Sequence, residues 1–387
     1  MVELTHSDPT ASALTCRGCA GTRAYLVVDL GEQQASDDFP AMDAPLPDAV
    51  WPLQLWYCPD CALVQLGPVE ALAEEPVRAV ESATSRRHAA RTVAAVLADH
   101  PFLIGSTVRE FASHHGGSWL DALVAYGCTP AMHSEPADLV VDVHGLAHEQ
   151  DVADQLALRA SALAREGLLV IEHHHLLPLV EQTQFDTIRH GHWTYLSLTA
   201  VSRLAARHGL RPVRTVGEPV FGGSLRTVLA HQDSSHSADS TVADTLTAEP
   251  AAKLDNGNGL KLLGDRAADS AAALRAYLTG LRECGRTVAG YGAPSKAAVL
   301  LGVSGVGRDP LPYTVDAAPA KHGLAIPANR IPIEAVDVLR QRRPDAILIL
   351  TWDIADKVIA QLETVGWGAS YVVPLPFPHP FVLTAVS

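Results

Sequence analysis

Four cysteines and a group of histidines are the residues of this sequence whose types and spacing suit chemistry. Cys16 and Cys19 lie in "CRGC" and Cys58 and Cys61 in "CPDC", with 38 residues between the pairs. Two C-x2-C turns supply four thiolates, the number a tetrahedral Zn2+ takes, and leave no position for water. The spacing predicts a structural zinc site that staples a segment with little regular structure of its own. Cys128 and Cys284 stand alone and read as small buried residues.

The histidines gather in short stretches. "IRHGHWTYLS" carries Arg189, His190, His192 and Tyr195, and "IEHHHLL" carries His173, His174 and His175. His114, His115, His144 and His148 follow neighbouring strand-like runs. An imidazole titrates near neutrality, so it suits removal of a proton beside a carbonyl. The enolate left behind needs a donor or a positive charge, roles open to His190 and Arg189. Consecutive residues on a loop point in different directions. One or two of the histidines at 173–175 are therefore expected to line a pocket rather than share a metal. An imidazole-rich pocket suits an anionic or phenolic ligand, or proton transfers.

Elements that position these residues can be read from hydrophobic pattern. "ADLVVDV" and "GLLVIEH" are short apolar runs of the buried parallel type, with the helical stretch "EQDVADQLALRASALAREG" between them. Helical spacing also runs over 77–100. The polar stretch 232–258 is rich in Ser and Asp and reads as a linker without a folded element. From 259 strands and helices alternate again. In "GYGAPSK" a glycine turn opens a helix whose amides, with Lys296, suit an anion. Trp352 ends a strand at the same edge. The fold expected is α/β: a small zinc-binding module (1–75), then two doubly wound Rossmann-like domains (76–231 and 259–387) joined by the linker 232–258.

The net charge of −14 over 387 residues disfavours nucleic acid and anionic membrane as partners. No run of about 20 apolar residues is present to span a bilayer. The N-terminus lacks the charged head and apolar core of a secretory signal, so the expected location is the cytoplasm.

The order "CRGC…PLQLWYCPDCALVQL", "ADLVVDVHGLAH", "QFDTIRHGHWTYLS", "FGGSLR", "GYGAPSKAAVLL" and "VVPLP" resembles the sugar C-methyltransferases of antibiotic biosynthesis. The resemblance implies a zinc module, a central S-adenosylmethionine-binding domain and a C-terminal Rossmann-like domain that faces a nucleotide sugar. In the family motif Y-H-E-H-x-x-Y the last His is the base; His192 matches it and Tyr195 the closing Tyr. Arg189 and Gly191 replace the Tyr and Glu. Gly222, Gly223 and Ser224 match a glycine turn near the substrate, and Lys321 and His322 a family loop.

The cofactor region departs most. The family motif E-x-G-x-x-x-G keeps Glu110, but Ala112 stands at its first glycine and His115 at its usual Asp. Only nine residues separate Gly127 from Ala137, where the family has a strand ending in the acid that binds the cofactor ribose. The aromatic-rich loop that precedes the helix at 77 in the family is also missing from "LAEEPVRAVES". The resemblance with these departures implies a methyltransferase-like enzyme that does not use S-adenosylmethionine. It would act by His-driven isomerisation, elimination or nucleophile addition on a carbonyl or phenolic biosynthetic intermediate. The alternatives are a S-adenosylmethionine-dependent C-methyltransferase of a keto-deoxysugar nucleotide, and a non-catalytic binding relative.

Overall fold

In the computed structural model of this chain, residues 14–45, 48–69, 83–112, 117–132, 135–364, 366 and 369–380 are described. Apolar side chains of β1 (Tyr25–Gln33), β2 (Trp51–Tyr57) and β3 (Val64–Leu66) close an antiparallel N-terminal sheet.

The middle region starts with α1 (Ala83–Asp99), β4 (Thr107–Phe111), α2 (Leu120–Ala125) and β5 (Thr129–Pro130). It continues with β6 (Ala137–Val143), α3 (Val152–Ser161), β7 (Leu163–His174) and α4 (Leu176–Glu181). Next come β8 (Thr194–Tyr195), α5 (Leu198–Ala206), β9 (Leu210–Glu218) and β10 (Ser224–His231). The sheet order is β5-β4-β6-β7-β10-β9. Its first four strands are parallel and its last two antiparallel to their neighbours. Where a full second strand would run, the chain makes the two-residue β5 and turns back, because so few residues precede β6.

Residues 232–258 correct the linker expectation. Ser240–Ala251 form α6. Asp239 caps it, accepting from Thr241 N, and Val242 and Leu246 pack on Leu198 and Leu225. The spacing of 242, 246 and the buried Glu249 is that of one helix face, which the surrounding Ser and Asp residues mask.

The long α7 (Asn258–Glu283) leads into the C-terminal sheet. That sheet is built from β11 (Val288–Tyr291), α8 (Ser295–Ser304), β12 (Thr314–Asp316), β13 (Ile333–Ala335) and α9 (Val338–Arg342). It is completed by β14 (Ala346–Ile349), α10 (Ala355–Glu363), β15 (Ser370–Val373) and β16 (His379–Pro380). The order is β13-β12-β11-β14-β15-β16, parallel except for β16.

The N-terminal segment is a wedge rather than a separate bead. Its sheet shares one core with α4, α7, α8 and the C-terminal strands, while Cys16, Cys58, Cys61 and Leu63 pack with apolar residues of α3 and α5. β8, from the middle region, pairs with β3 and completes the N-terminal sheet. Among the described residues, no helix is long and apolar enough to cross a membrane. Cys128 is buried as expected, whereas Cys284, just past α7, is exposed.

Candidate functional site

Both C-x2-C turns fold back on their own backbone. Ala20 N donates to Cys16 O at 2.9 Å and Ala62 N to Cys58 O at 2.8 Å, with Ala20 and Ala62 in the left-handed region. The turns bring the four sulfurs within 4.8 Å of one another. Cys16 and Cys61 lie 3.5 Å apart, and Cys19 and Cys58 3.6 Å. Sharing of protons with Cys58 pushes the Cys16 thiol up to about 12, and contact with Cys16 raises Cys61 as well. Cys58, which accepts from both, is pulled down. So crowded a sulfur set favours a cation at its centre, and four sulfurs fill a tetrahedral Zn2+ as a structural site requires.

His192 is buried between two rings: Tyr195 at 4.5 Å between centroids and His148, edge-on, at 4.9 Å. His148 Nδ1 lies 3.0 Å from Gly191 O, and Gly191 sits at φ +84°, where a side chain would be strained. Burial raises the Tyr195 phenol above its usual range, and its oxygen accepts from Arg189 N at 3.0 Å. The Arg189 guanidinium turns to Asp37, 2.8 Å away, and Asp37 also accepts from Ser295 Oγ. His190 leaves the group for Pro52 O, at 3.2 Å, and the edge of Trp51. Its burial lowers its pKa. The structure thus brings His192, Tyr195 and His148 together and directs the Arg189 and His190 side chains to the N-terminal segment and α8.

The triplet at 173–175 diverges as three successive residues should. His173 Nδ1 meets His174 O at 3.0 Å; His174 Nε2 meets Gln184 Oε1 at 2.9 Å; His175 Nε2 meets Glu249 Oε1 at 2.9 Å. Burial lowers His173 to about 4 and His174 to about 3. His175 anchors α6, whose Glu249 also accepts from Leu198 N and Thr199 N.

At the carboxyl edge of the middle sheet the Glu110 carboxylate accepts from Ser118 Oγ at 2.6 Å and Trp119 N at 2.5 Å, at the start of α2. Ala112 lies past the end of β4, and a Cβ built on Gly145 would come within 2.8 Å of Ala112 O. Between the strand ends sits a cluster that sequence reading missed. Buried Glu172, on β7, is 2.6 Å from His88 Nε2 and 3.5 Å from His144 Nε2. Burial pushes the Glu172 carboxyl up, but the hydrogen bonds and charges of His144 and His88 win and bring it to about 2. His144 is itself held at φ +56°. The cavity beside this cluster, lined by Trp119, Phe221 and both histidines, measures about 20 Å³. Between β5 and β6 the one carboxylate is the exposed Glu135, whose backbone carbonyl accepts from Arg109. His114, His115 and the stretch "LAEEPVRAVES" up to residue 82 lie outside the described residues.

A larger cleft, about 520 Å³, opens between the Gly222–Gly223 turn and the C-terminal strand ends, with Trp352, Asp353 and Leu375 among its walls. Gly222 (φ +84°) and Gly223 (φ +116°) admit no side chain: a Cβ would meet Gln184 and Trp352 at the first and Pro178 at the second. Ser224 Oγ donates back to Val220 O at 3.2 Å. Trp352 Nε1 donates to Asp186 Oδ2 at 2.6 Å, and Lys296 Nζ stands 4.2 Å over the indole while pairing with Asp353. Burial raises the Asp186 carboxyl to about 6. The anion site expected at "GYGAPSK" is filled from within: Ala293 N donates to Asp316 Oδ2 at 2.7 Å, Ser295 Oγ to Asp37, and Lys296 to Asp353. Lys321 Nζ donates to Ala293 O and lies over Phe39, and His322 Nε2 lies 2.9 Å from Asp316 O.

Comparison with known proteins adds three findings. Residues 219–376 match the family described as "C-methyltransferase C-terminal domain", and residues 16–74 the family described as "Putative zinc binding domain". The chain is 33% identical over 252 residues to the C-methyltransferase NovU of Streptomyces niveus, covering 65% of this chain and 60% of NovU. It thus spans about three fifths of that relative's length. Among solved structures, the magnesium protoporphyrin IX methyltransferase of Synechocystis PCC 6803 with bound SAH is 14% identical, with a TM-score of 0.29, over 38% of this chain and 84% of that one. The mitomycin 7-O-methyltransferase MmcR is also 14% identical, with a TM-score of 0.26, over 39% and 58%. Scores this low carry no argument about the site. The chain thus carries a segment similar to the C-methyltransferase C-terminal domain and one similar to a zinc-binding domain, and it is similar over 65% of its length to the C-methyltransferase NovU.

Proposed function

We propose that the chain removes a proton from the carbon next to a carbonyl of a small biosynthetic intermediate, with His192 as the base. The observation that carries this reading is the seating of His192 between Tyr195 and His148, on a segment pinned to the N-terminal sheet through β8. A buried imidazole with fixed neighbours moves a proton without first reorganising. Tyr195, raised by burial, stays a neutral phenol and fixes the Arg189 backbone. His190 and the Arg189 guanidinium act on position rather than on the substrate.

Similarity to the C-methyltransferase NovU supports completion of the reaction by methylation of that carbon, and the resemblance of the sequence motifs suggests a keto-deoxysugar nucleotide as the substrate. S-adenosylmethionine, when bound, supplies the electrophilic methyl group. A second reading is favoured by the short β5, the engaged Glu110 and the Glu172 cluster at the cofactor edge. There the proton returns at another carbon, a leaving group departs or a nucleophile adds, with no methyl donor.

Titration calorimetry with S-adenosylmethionine decides between them: micromolar binding supports methylation, and no heat up to about 1 mM supports the second reading. Changing His192 to Ala in the producing strain is expected to cut product formation about 10²–10⁴-fold with an unchanged melting temperature. Retained product would leave a binding relative without catalysis and sink the proposal.

A further inference from the structure

The cleft at the edge of the C-terminal sheet is a second site with its own chemistry. Trp352 is held at three points: its N–H by Asp186, one face by Lys296, and its ring end against Gly222, where a Cβ would stand 3.0 Å from Cη2. A ligand therefore meets an indole that loses no rotamer freedom on binding. Pro219, Leu375 and Val373 add apolar wall, and about 520 Å³ is ample for two or three fused rings. At the rim, Gln182 Oε1 is taken by Gln184 Nε2 at 2.8 Å, so Gln182 offers a ligand its N–H groups, which suit a carbonyl.

Charge argues against a phosphorylated ligand. Lys296 is paired with Asp353, Lys357 donates to Thr84 Oγ1 and follows Asp356, and Ala293 N at the glycine turn is given to Asp316. The lining holds one lysine, Lys357, and His379 against two aspartates, Asp353 and Asp356, and Lys296 behind it is paired with Asp353, so the cleft has no excess of positive charge, in a chain of −14. A nucleoside diphosphate needs unpaired donors and cations, as phosphate sites supply.

We propose that this cleft binds an uncharged, planar, carbonyl-bearing ring system on Trp352 in preference to a nucleoside diphosphate. To name that ligand the substrate rests on the proton-removal reading above; the binding itself does not, so the test uses binding alone.

The full chain is titrated with chromone, a planar bicyclic ketone, and with thymidine and uridine diphosphates, by calorimetry. Chromone is expected to bind saturably, and Trp352→Ala to weaken it about tenfold or more. The diphosphates are expected to bind at least about tenfold more weakly than chromone, and Asp353→Asn, by releasing Lys296, to tighten them about tenfold. If Trp352→Ala fails to fold, Trp352→Phe serves in its place, with a smaller loss. The proposal is overturned if chromone does not bind or ignores both Trp352 variants. Diphosphates that bind the unaltered chain more tightly than chromone, or ignore Asp353→Asn, overturn it equally.

Discussion

The two six-stranded sheets present the same kind of edge and fill it differently. Ligands of doubly wound sheets bind beyond the carboxyl ends of the strands. In the middle sheet that edge is sealed by imidazole around one buried carboxylate, Glu172 with His88 and His144, beside a cavity of about 20 Å³. In the C-terminal sheet it is lined by carboxylates that neutralise lysine and backbone donors, and it stays open as a cleft of about 520 Å³. The lesson is that one architecture does not fix what its edge binds. The side chains at three or four strand ends decide it.

Both edges depend on the N-terminal wedge, so the comparison breaks most completely if the zinc site is lost. Structural zinc in small modules is worth about 10–16 kcal/mol. Chelation, or Cys58→Ser, is expected to unfold the N-terminal sheet and release β8, with a large drop in melting temperature and loss of ordered signals from Tyr195 by NMR. Native-like thermal unfolding after verified metal removal would show that the sulfurs are dispensable.

A sharper cut separates the edges from each other. Glu172→Ala leaves two buried histidines without their acceptor and is expected to cost about 3–5 kcal/mol in denaturant unfolding. Asp353→Ala, at the partly open cleft, is expected to cost about 1 kcal/mol or less. Equal costs would erase the distinction between a sealed and an open edge.

Acid is the mildest probe. His173 and His174 have folded pKa values of about 4 and about 3, below the value of 6.5 they regain on unfolding. The unfolded chain therefore binds more protons as pH falls below 6.5, and stability is lost progressively from there to pH 3. Glu172, held at about 2, adds a loss only below pH 4.5. Asp186 works in the opposite sense. Its carboxyl, raised to about 6, favours the folded state as pH drops from 6 towards 4 and offsets part of the histidine loss. Melting temperatures across pH 3–7 should fall less in His173→Leu than in the unaltered chain; parallel curves would remove His173 from the account.

Much of this was legible in sequence because it is local. C-x2-C spacing, short branched strands and the missing stretch before Ala137 all act within a few residues. What was not legible depends on contacts between distant segments. His88 lay unremarked in the helix "SRRHAARTVAAVL", yet it reaches Glu172, 84 positions away. Glu249 looked like part of a polar linker, yet it holds His175, 74 positions away. Lys296 looked like an open anion site until Asp353, 57 positions on, proved to occupy it. Spacing rules reveal which groups a segment offers; burial and pairing, set by the whole chain, decide which stay available.

The pairing of β3 with β8 carries a consequence for synthesis. Val64 and Gln65 pair with Tyr195 and Thr194, and Leu66 N donates to Trp193 O, so the N-terminal sheet keeps a bare edge until its last strand has left the ribosome. At about 5–20 residues per second, that wait over 129 positions lasts about 6–26 s. Throughout it the four sulfurs are already translated, and a captured metal ion can hold the nascent sheet in register while its missing strand is being made.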